Sequence, residues 1–534
     1  MVETAYSLIA PIVVIILLLT TKRLVPSLII GIILGSLLYA DWNPLNAAEA
    51  AGGWMWDVLT GEWKILTFTL LVGALSSMLR VSGGVSAFAD WAYVHANTPR
   101  KAQLAVLFVG FLTFFSDGFS CLLRANVLRS LTDKHRVSHS KLAYLVHSSS
   151  APYALMVPIS AIAGMTIAII SRTYDSIGMN TNQAFSAFIQ AIPMNYYNIL
   201  TIILVFIVAI TGLNLGTMGK HERLARDKGI LFDASKSHRM RIAAESENAV
   251  DIDHGAPRGT IADLMVPIFT LLGVTVDMSF VIANQNAEGP ITVSSFLQST
   301  DIVLSLVYGT IVAMIVSAIM SAAKKVSLGA AAKSAGTGVL SILQSAIILY
   351  LAIVTAEVMK GTGVGAYLAG VIETNNFPVA LLPLVLFVFS AFMSYAMGST
   401  LGTAGLMIPI GAEIFVNIDP WFLIPVVGAV LPGCVFGEHT SPLSDTTIMS
   451  SIGSQVDAFD HIITQMPYAI ITSIASIIGY LVLGYCQDVA IGLITALGTL
   501  ILLVFAAKFY YQRRPDDGSD YEVLETTSPE EATR

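Results

Sequence analysis

Charge is scarce in this chain. Of its 534 residues, 12% are Asp, Glu, Lys or Arg and 55% are hydrophobic, and the mean hydropathy is +0.74. A soluble domain cannot bury that much apolar surface. The runs at 9–19, 28–38, 199–210, 302–319 and 489–506 read instead as membrane spans. Cysteine is scarcer still. Cys121, Cys434 and Cys486 lie far apart among apolar or small residues, a pattern of small packing residues rather than a disulfide framework or zinc site. The N-terminus lacks the basic segment that precedes the apolar run of a cleavable signal, because Lys22 and Arg23 follow that run. No basic stripe with interleaved aromatics is present, so no nucleic-acid partner is expected. The His-Glu-x-x-His, Gly-x-Ser-x-Gly and Gly-x-Gly-Asp patterns of zinc, serine and intramembrane aspartyl hydrolases are missing too, which argues against an enzyme. No cofactor is expected.

What is there is a duplication. Leu8-Ile9-Ala10-Pro11-Ile12 is similar to Leu264-Met265-Val266-Pro267-Ile268, and Leu79-Arg80-Val81-Ser82-Gly83 to Met359-Lys360-Gly361-Thr362-Gly363. Phe115-Ser116-Asp117-Gly118-Phe119-Ser120 is similar to Tyr395-Ala396-Met397-Gly398-Ser399-Thr400, and Ser150-Ala151-Pro152 to Thr440-Ser441-Pro442. The matches keep one order, as an internal repeat requires.

Positive charge sets the orientation. Placing Lys22 and Arg23 inside makes the N-terminus external. Helices follow at about 24–40 and 64–80, separated by an outer segment with Asp41, Glu49, Asp57 and Glu62. Basic residues flank 102–130 at both ends, so it reads as a re-entrant hairpin with its tip at 115–120. A broken span at 141–170 and a span at 191–212 complete the first half. The second half carries a hairpin at 377–415, a broken span at 420–452 and a span at 462–486. All Lys and Arg except Lys64, Arg172 and Lys360 then lie on the cytoplasmic side.

The expected fold is an all-α integral membrane protein. It has about 11 transmembrane helices plus two re-entrant hairpins, in two inverted repeats with discontinuous helices. Residues 1–212 form the first repeat and 260–486 the second. The 213–259 segment is a cytoplasmic linker that reads as solvated, 487–508 an extra helix and 509–534 a flexible cytoplasmic tail. Short amphipathic helices are expected at 83–96 and 363–373.

Irregular backbone inside a bilayer must line protein or a water-filled cavity. Four apolar stretches break their helical pattern, at 116–120, 147–152, 398–405 and 437–444. Paired breaks in the two halves point to a transport site. Candidate cation or substrate ligands there are Asp117, Ser120, Ser148, Ser149, Ser150, Thr400, Thr403, Glu438, His439, Thr440, Ser441, Ser444, Asp445 and Thr446, whose oxygens suit a dehydrated alkali cation or a substrate carboxylate. Intramembrane carboxylates are rare and usually functional. The lesser reading of Asp117 is a cap for its hairpin, and that of Asp445 a carboxylate held by a helix N-terminus. His147 reads either as a proton carrier or as a polar residue bonded to a carbonyl. Arg124 and Asn126 either anchor the first tip or compensate Asp117.

The run Gly437-Glu438-His439-Thr440-Ser441-Pro442-Leu443-Ser444-Asp445-Thr446-Thr447 resembles the NhaC family of sodium/proton antiporters. That family typically has Gly-Asp-Lys-x-Ser-Pro-Leu-Ser-Asp-Thr-Thr, so Glu438 and His439 depart from it. The resemblance implies sodium/proton antiport in a bacterial inner membrane, by a homodimer embedded in lipid with a moving domain that holds both hairpins. Sodium and a proton would compete at Asp445 or Asp117. The alternative is sodium-coupled transport of an amino acid or small organic carboxylate on the same fold.

Overall fold

The computed structural model describes residues 4–21, 23–114, 117–158, 160–232, 259–286, 296, 300–324, 326–375 and 377–513. Among these every regular element is helical. Six helices are long and apolar enough to cross a membrane, or nine if each of three bent pairs counts as one span. Their outer faces carry exposed large apolar side chains such as Phe269, Ile319 and Leu502, as lipid contact requires. The chain is an integral membrane protein. The 41–62 segment, expected as a connection, contains a helix at Pro44–Gly61 that Asn43 caps.

The first hairpin consists of Pro99–Leu112 and Asp117–Lys134. Thr113 Oγ1 lies 2.7 Å from Ser120 Oγ and closes its tip; Phe115 and Ser116 fall outside the described residues. The second hairpin is Leu382–Met397 and Thr400–Ile418. Its break is shorter than expected. Gly398 alone turns the chain, at φ 65°, and Ser399 caps the next helix by accepting from Gly402 N. The short helices Gly84–His95 and Val364–Thr374 are present.

The first broken span differs from expectation. Residues 147–152 are helical within His139–Met156, with Pro152 inside the helix. Ser149 and Ser150 hydroxyls bond back to Leu145 O (2.6 Å) and Val146 O (3.0 Å). The break comes at Val157, which is extended at φ −109°, ψ 113°. Val157 precedes Pro158, and a residue before proline is driven out of the α region. Ser160 then caps Ala161–Ser176. The second broken span is Leu423–Thr440 and Asp445–Ser454, so its break is narrowed to 441–444.

The two halves interlock reciprocally. Asp117–Lys134 packs on Asp445–Ser454, and Thr400–Ile418 packs on Ala161–Ser176. In each case a hairpin's second arm meets the second segment of the other half's broken span. Glycine permits the first contact, because a Cβ on Gly453 would lie 2.6 Å from Ala125 Cβ.

The linker is not uniformly solvated. Residues 218–228 are helical, and Met218, Leu224 and Ala225 are buried. Glu222 accepts from Ser138 N (2.8 Å) and Oγ (2.7 Å), and the buried Lys141 donates to Leu213 O (3.0 Å) and Asn214 Oδ1 (2.7 Å). These partners supply the hydrogen bonds that a buried ammonium needs. Residues 233–258 and the tail beyond 513 lie outside the described residues, whereas the last helix runs past 508 to Arg513.

Candidate functional site

The second break and the second hairpin tip meet at Glu438, which is 2% exposed. Glu438 lies one turn before the break. Thr400, first residue of the hairpin's second arm, donates its hydroxyl to Glu438 Oε2, and Thr446, just past the break, donates to Oε1. Ser444 Oγ is 3.5 Å from Oε1 and 2.8 Å from Thr446 Oγ1. A buried carboxylate is stable only with such partners. Tight backbone contact fixes this arrangement. A Cβ on Gly437 would lie 2.2 Å from Ala391 O, and one on Gly398 2.6 Å from Leu443 C and O.

Asp117 and Asp445 lie close enough for their charges to act on Glu438. Asp117 opens Asp117–Lys134 and takes the Gly118 N–H at 2.8 Å; Asp445 opens its own helix, takes Thr446 N–H at 2.8 Å and is exposed. The tip of the first hairpin faces the same helix, with a Cβ on Gly118 falling 3.1 Å from Met449 Sδ. Three carboxylates from both halves therefore share one region.

The other candidates divide. Ser149 and Ser150 accept from Arg124, a fully buried guanidinium that also donates to Val146 O (2.8 Å) and Ser120 O (3.2 Å). Arg124 anchors the first hairpin to the first broken span. No carboxylate pairs with it among the described residues. Ser120 is engaged at the hairpin tip, and Ser148 is buried. Thr403 bonds to Ser399 O (2.9 Å), Thr440 to Phe436 O (2.9 Å) and Ser441 to Tyr395 O (2.7 Å). His439 Nδ1 is 3.0 Å from Tyr197 Oη.

Among the described residues His147 makes no hydrogen bond to a carbonyl. Its Nε2 is 3.1 Å from Thr446 Oγ1, and its Nδ1 is 2.9 Å from His461 Nε2 and 3.2 Å from Gln465 Nε2. The sequence reading missed Tyr197, His461 and Gln465. The signal was available for two of them. His461 and Gln465 sit at i and i+4 on one face of the Ala458–Cys486 helix, where polar side chains in an apolar run need partners.

Intramembrane carboxylates between paired helix breaks define a secondary transporter by class. The comparisons are narrower. The Na+/H+ antiporter family model matches residues 154–485. An uncharacterized protein of Haemophilus influenzae is 32% identical over 521 residues, covering 95% of this chain and 96% of that one. The chain belongs to the Na+/H+ antiporter family, of the NhaC type that the 437–447 motif suggested. Shorter matches include the Na(+)/H(+) antiporter NhaC of Alkalihalophilus pseudofirmus, 34% identical over 23% of this chain and 25% of that one. The malate-2H(+)/Na(+)-lactate antiporter of Bacillus subtilis is 34% identical over 18% of this chain and 21% of that one.

Proposed function

We propose that the chain exchanges sodium for protons across the bacterial inner membrane by alternating access. The observation that supports this best is the grouping of Glu438, Asp117 and Asp445, contributed by both halves. On this reading sodium is the cargo of Asp117 and Asp445, and Glu438 takes the proton. The aspartates set two negative charges beside the buried Glu438, and like charges repel. A cation at the aspartates relieves that repulsion, and so does a proton on Glu438. The two cargoes then compete through charge without sharing a ligand. Neutralisation by either cargo lowers the barrier to moving the site through the membrane.

The reciprocal packing of hairpins and broken spans supports two inverted repeats, residues 1–212 and 260–486. The shorter apolar helices Ala5–Leu17 and Val25–Tyr39 would join the longer spans in a layout of about 11 crossings. The N-terminus would lie outside and the C-terminus in the cytoplasm. A homodimer in lipid would provide the frame against which the site moves.

The test is a proteoliposome flux assay with an internal pH dye. Sodium should drive proton movement in the wild type, and Asp445→Asn should abolish it. Normal exchange by that variant would remove Asp445 from the assignment. The alternative cargo, an amino acid or small organic carboxylate taken up with sodium, is favoured by the partial match to the malate/lactate antiporter and by one to the arginine/ornithine antiporter ArcD of Halobacterium salinarum, 36% identical over 20% of this chain and 23% of that one. Labelled-solute uptake that needs sodium but no proton gradient would establish it instead.

A further inference from the structure

We infer that His461, His147 and Thr446 form a proton relay that loads Glu438 from the start of the helix that carries His461. The inference rests on Glu438 being the proton carrier proposed above.

The direction of each hydrogen bond follows from its neighbours. Gln465 Nε2 lies 2.8 Å from His439 O. A carbonyl only accepts, so the atom facing it is the amide NH2 group. The second N–H of that group points to His147 Nδ1 at 3.2 Å. His147 Nδ1 is therefore an acceptor, and His147 carries its hydrogen on Nε2, which donates to Thr446 Oγ1 at 3.1 Å. Because His147 Nδ1 accepts, His461 Nε2 at 2.9 Å must donate to it. Ser450 agrees independently. Its hydroxyl hydrogen goes to Thr447 O (3.0 Å), which leaves its oxygen as an acceptor for His461 Nε2 at 3.2 Å. Thr446 donates in turn to Glu438 Oε1.

Every donor in this chain thus points toward Glu438. The far end is His461 Nδ1, buried and without a hydrogen-bond partner among the described residues. Its lone pair is where a proton can enter. The transfer balances one proton in against one out. A proton binds His461 Nδ1, and the Nε2 proton passes to His147 Nδ1. The His147 Nε2 proton passes to Thr446 Oγ1, and the Thr446 hydroxyl proton passes to the Glu438 carboxylate. Both histidines end as the opposite neutral tautomer. In that state His147 Nδ1 carries a hydrogen and no longer accepts from Gln465, so Gln465 favours return to the starting tautomer.

The entry point lies at a defined end of the molecule. His461 is in the first turn of Ala458–Cys486, just after the turn at Gln455. His139 Nδ1 lies 3.1 Å from Gln455 O, and His139 N donates to Leu231 O at 3.0 Å. The relay therefore begins at the helix start that follows this turn, and His139 ties the turn to the folded part of the linker. Among the described residues no group of three or more His, Cys, Asp or Glu is arranged to hold a metal ion. The histidines meet through hydrogen bonds, the arrangement that proton transfer needs.

The experiment uses the full chain in proteoliposomes and reads two fluxes, sodium-driven proton movement and counterflow of radiolabelled sodium without a proton gradient. His461→Gln keeps a side-chain donor but cannot take up and pass on a proton. Thr446→Val removes the hydroxyl at nearly constant shape, and Thr446→Ser restores it. His461→Gln should slow proton movement roughly 10-fold or more, with a much smaller change in counterflow; Thr446→Val should slow proton movement as much, and Thr446→Ser should restore it. Wild-type proton movement in both impaired variants overturns the relay alone. Equal loss of both fluxes in a folded His461→Gln overturns it too, since that marks a structural role. If His461→Gln does not fold, the Val and Ser pair at 446 decides. A wild type without any sodium-driven proton movement overturns the exchange reading and the relay with it.

Discussion

At the scale of single residues, the site depends on glycines as much as on carboxylates. Gly398 occupies φ 65° and its Cα faces the backbone of Leu443 at the second break. Thr400, two residues on, holds Glu438. Alanine at 398 adds a left-handed strain of about 1 kcal/mol or more and a Cβ 2.6 Å from main-chain atoms that cannot swing away. Gly398→Ala should therefore lower thermal stability in detergent and reduce sodium-driven proton movement by pulling the hairpin tip from the carboxylate. An unchanged melting temperature and rate would show that the tip relaxes freely. The carboxylates of this site were legible in sequence because charge in an apolar run stands out. Their partners were less so. Ser149 and Ser150 have the same hydroxyls as Thr400 and Thr446, and only the fold reveals that a buried arginine takes the first pair and a carboxylate the second.

At the scale of elements, hydropathy and basic residues located both hairpins and both broken spans, since each leaves a local mark. The break in the first span was misplaced. The Ser-rich 147–152 stretch looked irregular, yet serine hydroxyls bond to carbonyls one turn back and let the helix continue. Val157-Pro158 was the better signal. Polar composition also concealed that 213–232 folds, because Leu213, Leu215 and Met218 bury in a core cluster with residues distant in sequence. Arg124 couples two of these elements. Its Nε, Nη1 and Nη2 reach Ser120 O, Ser149, Ser150 and Val146 O in different directions. A lysine brings its donors from one atom and cannot span them. Arg124→Lys should leave some buried acceptors unpaired and lower stability by about 1–3 kcal/mol, measured as a fall in unfolding temperature. A lysine variant as stable as wild type would mean that the hairpin is held by apolar packing alone.

At the scale of the molecule, the halves must be held together without help from the hydrophobic effect, since lipid is as apolar as the helix faces. Trp63–Val81 of the first half packs along Leu328–Thr362 of the second. They touch backbone to backbone. A Cβ on Gly338 would lie 2.2 Å from Gly73 O, and one on Gly73 2.6 Å from Gly338 O. One turn away, Ser77 Oγ is 2.9 Å from Ser334 Oγ and 3.4 Å from Thr337 Oγ1. Close approach gains dispersion over a long seam and lets the hydroxyls pair across it. Gly338→Val should force the helices apart along that seam, with loss of the monodisperse peak in gel filtration. Gly336→Ala is the control, because a Cβ there meets nothing within 4 Å and alanine favours the helix. If Gly338→Val purifies and transports as wild type does while Gly336→Ala does too, the glycine crossing is not what joins the halves. If Gly338→Val alone fails, the seam is the fixed frame and the hairpins and broken spans are the parts left to move.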